Sequence, residues 1–116
     1  MKILEREVEF DFSDVESYKR YENALEEYMK KVQEIKQLEG KEGDGRDKLC
    51  KIIYDFFDEL LGEGRAIQIL GEKPNFKKSL EAMYGVLKEK QKSDKEISDI
   101  LGKYDINNQH QQKGVF

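Results

Sequence analysis

Few side chains in this sequence have the type and setting that chemistry requires. His110, the single histidine, lies in Asn107-Asn108-Gln109-His110-Gln111-Gln112, a polar run whose composition predicts disorder. A general base or a metal ligand has to be held in place, so His110 is expected to be neither. Cys50, the single cysteine, sits on the apolar side of a helical pattern with no cation placed beside it. It reads as a buried small hydrophobe, and one cysteine alone makes no intramolecular disulfide and no thiolate metal site. Asp55 and Glu59 lie one helical turn apart, but with no histidine beside them they read as part of a solvated face. Gly40-Lys41-Glu42-Gly43-Asp44-Gly45 lacks the Gly-Lys-Ser/Thr ending of a phosphate loop. It also lacks the alternating oxygen ligands and closing glutamate of a calcium loop. The sequence therefore predicts no catalysis, no metal and no cofactor.

The side chains that remain are spaced for packing. From Tyr18 through Tyr21, Leu25, Tyr28 and Val32 to Ile35, apolar residues recur alternately three and four positions apart. That is the narrow seam of a coiled-coil-like helix. Three of its six members are tyrosines, with Met29 beside them, and each phenol needs a hydrogen-bond partner or water. The seam fits a half-wet surface inside the molecule or a contact surface for a partner; spacing alone leaves both open. A helix over about residues 14–38 follows, opened by Ser13-Asp14-Val15-Glu16 as a capping box. Ahead of it, Val8-Glu9-Phe10-Asp11-Phe12 alternates apolar and acidic residues and predicts an extended strand with Val8, Phe10 and Phe12 on one side. Such a strand needs an edge to pair with. A hairpin folded back through Ile3 and Leu4 supplies one, and another chain is the alternative.

The glycine-rich segment at 40–45 predicts a flexible loop. A second helix, about 46–61, is the most apolar part of the chain, with Leu49, Ile53, Phe56 and Leu60 on one face and Cys50, Phe57 and Leu61 adjacent. So wide a stripe belongs at the centre of a domain. Gly62 and Gly64 close it, a short helix covers 65–70, and Pro74-Asn75 resets the chain with Asn75 as N-cap. A fourth helix carries Phe76, Leu80, Met83 and Leu87 at helical spacing, with Tyr84 alongside and Gly85 placed to let another helix approach. Residues 88–96 have no apolar face, and Ile97, Ile100, Leu101 and Tyr104 resume one. This last piece is either a continuation of the fourth helix into solvent or a separate short helix. The reading is a mainly α protein: a small bundle of three to four helices with a long first helix and an N-terminal strand or arm. The arm spans 1–12, the helical domain 13–104, and a disordered polar tail 105–116.

Charged residues make up 40% of the 116 residues and the hydrophobic set 37%, with a net charge of −4. An acidic chain with no long basic run is a poor binder of the phosphate backbone, so nucleic acid is not an expected partner. No apolar stretch approaches the ~20 residues that span a bilayer, and residues 1–7 turn charged too early for a signal peptide. A soluble protein kept in a reducing cytoplasm is expected. So small an apolar fraction makes a homo-oligomer or a protein partner a reasonable expectation.

The order of features resembles a known family. Phe10-Asp11-Phe12 precedes a long helix with Tyr21-Glu22-Asn23-Ala24. Then come Phe56-Phe57-Asp58-Glu59-Leu60-Leu61-Gly62-Glu63-Gly64, Ile69-Leu70-Gly71-Glu72-Lys73-Pro74-Asn75, and a helix with Leu80-Glu81-Ala82. Over about residues 8–87 this is similar to the small tail assembly chaperones of long-tailed phages and prophages of Gram-positive bacteria, encoded between the tail-tube and tape-measure genes. The resemblance implies a non-catalytic protein that coats the helical tape-measure protein until the tail tube polymerises around it. The candidate contact residues are Tyr18, Tyr21, Leu25, Tyr28, Met29 and Val32 of the first helix, Met83 and Tyr84 of the fourth, and Val8, Phe10 and Phe12 of the arm. Two other readings stay open: a phage or mobile-element regulator that blocks a host protein, and a structural tail or head-completion component.

Overall fold

The computed structural model describes residues 1–36 and 41–107. Two short strands open the chain, β1 (Lys2–Ile3) and β2 (Arg6–Glu7), and four helices follow: α1 (Val15–Lys36), α2 (Glu42–Leu61), α3 (Arg65–Leu70) and α4 (Phe76–Asn107). The molecule is elongated, 56 × 32 × 22 Å, and α4 at 32 residues is its longest element.

α2 is the axis of the assembly. Cys50, Ile52, Ile53, Phe56, Phe57 and Leu60 are all buried on it, and α1, α3 and α4 each pack against it. Its apolar stripe is wide enough to be covered from more than one side, as the sequence predicts. The helix begins earlier than predicted, at Glu42, and takes Gly43 and Gly45 into its first turn. Each glycine there costs about 1 kcal/mol relative to alanine. Acidic Glu42 and Asp44 at the positive end of the helix dipole offset part of that. Arg46 holds the turn further, with its guanidinium 2.7 Å from the Glu42 carboxylate and stacked over the Phe76 ring at 4.9 Å.

α3 has only six residues and could not persist alone. Two side chains of α2 clamp its ends. Asp58 accepts a hydrogen bond from the Ala66 backbone N–H at 2.8 Å, capping the first turn, and the Tyr54 hydroxyl donates to the Gly71 carbonyl at 2.7 Å just past the last. Gly64, at φ 84°, makes the left-handed turn between the helices. The Arg6 guanidinium donates to the Gln68 carbonyl and ties the N-terminal hairpin to α3.

That hairpin is the fold-back alternative, but its strands lie nearer the chain start than predicted. Lys2 pairs with Glu7 and Ile3 with Arg6. The Val8 N–H donates to the Met1 carbonyl at 2.7 Å, and the Met1 amine donates back to the Val8 carbonyl at 3.1 Å. Residues 8–12, the predicted strand, are not a strand: Val8 and Phe12 turn inward to the core and Phe10 is half-buried. The alternation is real, yet it serves an irregular arm that plugs the bundle. Asp14, not Ser13, caps α1; its carboxylate accepts the Ser17 N–H at 2.9 Å, and this bond holds the Asp14 carboxyl below its ordinary value of 3.8.

α4 differs most from expectation. Its inward residues over the first three turns are Ser79, Ala82, Met83 and Val86, while Leu80 and Leu87 are exposed. Small residues face inward because another segment comes close. A Cβ on Gly85 would stand 3.3 Å from Ile3 Cδ1 and 3.9 Å from the Lys2 carbonyl oxygen. The element that Gly85 admits is therefore the β1 strand, not a helix. α4 also continues without a break through 88–96 and beyond Tyr104 to Asn107, which leaves the rest of the 105–116 tail outside the described residues.

Ile3→Ala, which empties a fully buried site, costs about 2–5 kcal/mol in urea unfolding. Gly85→Val costs about 1–3 kcal/mol by overpacking the same contact. The double variant costs less than the sum of the two, because the added methyls enter the vacated space. At the turn, Leu4 and Glu5 have φ of 51° and 62°, a conformation that costs L-residues roughly 1–2 kcal/mol each. Glu5→Gly is expected to raise stability by about 1 kcal/mol in the same assay.

Candidate functional site

The tyrosine seam of α1 points inward. Tyr21 is 3% exposed and meets the Phe12 ring edge-on at 5.0 Å. Tyr18 lies 5.8 Å from Tyr21, and Tyr28 meets Phe56 of α2 edge-on at 5.8 Å. Leu25, Val32 and Ile35 are half-buried along the same line. Only Met29, on the edge of the seam, is exposed. In this fold the seam covers α2, with Tyr18 and Tyr28 half-buried and Tyr21 inside. Burial pushes the Tyr21 and Tyr28 phenols above their ordinary value of 10.0. Burial raises Tyr54 as well.

The other candidates divide in the same way. Val8, Phe12 and Met83 are inside the molecule, while Phe10 is half-buried with its ring 4.9 Å from Phe12. Tyr84 is 62% exposed, with the Lys88 ammonium 5.4 Å from its ring. Of the eleven residues singled out from sequence, Met29 and Tyr84 are thus the two that lie open.

α4 presents more surface than the sequence reading assigned to it. Leu80, Tyr84 and Leu87, four and three residues apart, are exposed along its outer side. Farther along, Ile97, Ile100 and Tyr104 are exposed on a second line. That line continues the inward face of Ser79, Ala82 and Val86 past the end of the body. Between the lines' origins stands Lys90, half-buried, with its ammonium 2.7 Å from Asp94 and 6.0 Å from the centre of the Tyr18 ring. The bond to Asp94 raises the Lys90 pKa. A shallow cleft opens where the arm meets α4, with Phe10 and Phe12 on one wall and Glu89, Ser93 and Glu96 on the other.

Cys50 is buried on α2, as its setting predicts. Among the described residues no group of three or more histidine, cysteine, aspartate or glutamate side chains is placed to hold a metal ion. No helix among them is long and apolar enough to cross a membrane. His110 lies outside the described residues.

A family pattern spans nearly the whole of the chain, matching residues 4–115. The chain belongs to the family of unknown function DUF6673. No curated protein matches it, and no solved structure does. The hairpin from Leu4 onward, all four helices and both exposed lines of α4 fall within the matched span of this DUF6673 chain.

The buried phenols give a pH prediction. Their folded pKa values lie above the unfolded value of 10.0, so the folded state holds their protons more tightly. This contribution is fully present below pH 10.0 and is lost as pH rises through the folded values. An ultraviolet phenolate titration is expected to show Tyr21, Tyr28 and Tyr54 ionising late and together with unfolding. Phe at all three positions removes that alkaline transition.

Proposed function

We propose that this protein is a phage tail assembly chaperone, a non-catalytic binder that holds the tape-measure protein in the host cytoplasm during tail morphogenesis. Two things support the reading. One is the resemblance of residues 8–87 to that family. The other, which carries it structurally, is the outer line of α4: Leu80, Tyr84 and Leu87 lie exposed at helical spacing on a chain of net charge −4. Apolar residues four and three positions apart are what one helix offers to another amphipathic helix. Tyr84 and the Lys88 stem beside it suit a partner that repeats without a fixed sequence, since an aromatic face and a flexible alkyl chain adapt to many neighbours. The negative charge keeps a complex of several copies on a long helix from aggregating.

Of the first-helix candidates named from spacing, Met29 is the one that lies open; the partner contact on this reading belongs to α4. Co-expression with a tape-measure protein from the same phage or prophage genome tests the proposal. The wild-type chain is expected to move the tape measure from the insoluble to the soluble fraction. Tyr84→Asp with Leu87→Asp abolishes that effect while leaving the circular dichroism of the purified chaperone unchanged. A tape measure that stays insoluble with the wild-type chain overturns the reading.

A further inference from the structure

We propose that the outer side of α4 is a self-association surface, on which two copies of this chain pair antiparallel with Tyr84 of each against Leu87 of the other. The pairing needs nothing from the tail-assembly reading. Its consequence, that the pair masks this surface until a tape-measure helix displaces one copy, rests on that reading.

The surface belongs to one helix. Leu80, Tyr84 and Leu87 are 41%, 62% and 42% exposed, and the helical repeat sets them within about 60° of one another. Lys77 and Gln91, both exposed, extend the line by one step at each end. From Lys77 to Gln91 the steps alternate three and four, the spacing of a coiled-coil seam. Ser79, Ala82 and Val86, which pack inward, lie on the far side of the helix. A second helix laid on the outer line therefore leaves both cores undisturbed, with the two bundles on the outside of the pair. Burial of the three apolar side chains from water drives the contact.

Charge selects the occupant, the direction and the register. Glu81 and Lys88, both exposed, stand two helical turns apart on the same edge of the seam. In an antiparallel pair this edge meets the same edge of the second copy. With Tyr84 opposite Leu87, Glu81 of each chain faces Lys88 of the other, and the two-fold axis makes the contact twice. Leu80 then lies against Gln91 at either end. Sliding the pair by one heptad sets Glu81 against Glu81 in one direction and Lys88 against Lys88 in the other. A parallel pair sets Lys77 on Lys77 in the seam and gives Glu81 and Lys88 only Phe76 and Met83 as neighbours. A helix edge that complements itself in one register and repels itself in the adjacent ones fits a second copy of this chain.

The contact keeps what the chain already has. The Lys88 ammonium lies 5.4 Å from the centre of the Tyr84 ring, and an ammonium with three donors can serve a carboxylate from that position. The ring keeps its other face for Leu87 of the second copy. The overlap is about three turns of helix on each chain, well short of a standard interface, so the association is weak and reversible. On the tail-assembly reading, that reversibility lets a longer amphipathic helix, which covers more of the line, take the second copy's place.

The full chain at about 100 μM, a concentration suited to so small an interface, is expected to sediment as a dimer and to dissociate on dilution. Leu87→Asp gives a monomer with unchanged circular dichroism, whereas Ile97→Asp, on the other line of α4, leaves the dimer intact. Glu81→Lys and Lys88→Glu each weaken the dimer several-fold. Both changes in one chain restore it, and so does mixing the two single variants, which pair with each other. A wild-type chain that stays monomeric at this concentration overturns the proposal, whatever happens with the tape measure. A dimer indifferent to either charge change overturns the register, as does failure of the double change to restore pairing. A soluble helical fragment of the tape measure, added to the dimer, is expected to release monomers bound to it; binding with the dimer intact overturns the masking. A fragment that does not bind at all counts against the tail-assembly reading, and the dimer stands on its own sedimentation.

Discussion

A chain with 40% charged residues must concentrate its apolar side chains, and this one concentrates them on α2. Phe56 and Phe57, adjacent in sequence and both fully inside, stand edge to face with centroids 5.4 Å apart. Two consecutive aromatic residues on a helix point about 100° apart, so α2 is apolar over more than one face and needs more than one cover. α1 supplies Tyr21, Ala24 and Tyr28, α4 supplies Ala82, Met83 and Val86, and α3 supplies Ala66, Ile69 and Leu70. Each buried Phe is worth roughly 1.5–3 kcal/mol. Losing α2 would leave the other helices with no shared core to pack on.

The remaining contacts position the covers. α3 exists because Asp58 and Tyr54 hold its two ends. The hairpin closes the open end of the bundle by inserting Ile3 beside Gly85, and Arg6 fastens it to α3. It does so despite left-handed backbone at both Leu4 and Glu5. Ile3 is wholly buried, and the removal of that side chain from water outweighs the conformational cost of the turn that delivers it.

The helices themselves were legible. Periodicity located all four, glycines marked the two turns around α3, and Asn75 caps α4 by accepting the Lys78 N–H at 2.9 Å. What was not legible was which residues face inward where the faces are small. Reading α4 by its largest apolar residues selects Leu80 and Leu87, but the face against the core is Ser79, Ala82 and Val86. Hydrophobicity ranks side chains by area, whereas close packing of the hairpin and α2 on α4 demands low volume. The glycine at 85 was the available signal, and its neighbour was a strand that residues 8–12 had drawn away from its true place at 2–7. The same limit applies to the first helix. Its heptad spacing identified a seam, yet spacing is identical for a seam that meets its own core and one that meets a partner. Only the position of Phe12 and Phe56 against Tyr21 and Tyr28 decides between them.

Residues 88–96 show how a segment with no apolar face can still be a structural element. Nothing in that stretch offers a core stripe, but its lysines, glutamates and glutamine are good helix formers. Ion pairs one turn apart, Lys90–Asp94 at 2.7 Å and Lys95–Asp99 at 3.2 Å, add a few tenths of a kcal/mol each. Nucleation, the costly step, has already been met by the packed turns from Phe76 to Val86, so the helix propagates outward at little cost. The consequence is mechanical. Ile97, Ile100 and Tyr104 are carried at a fixed distance and rotation relative to the bundle, instead of on a loose linker. An apolar line on a loose linker collapses onto its own chain, whereas one on a stiff helix stays presented to the outside. The outer line at Leu80–Leu87 is fixed by the same helix, on a different side. One long helix thereby sets the geometry of both exposed apolar surfaces, and its packing on α2 sets its own.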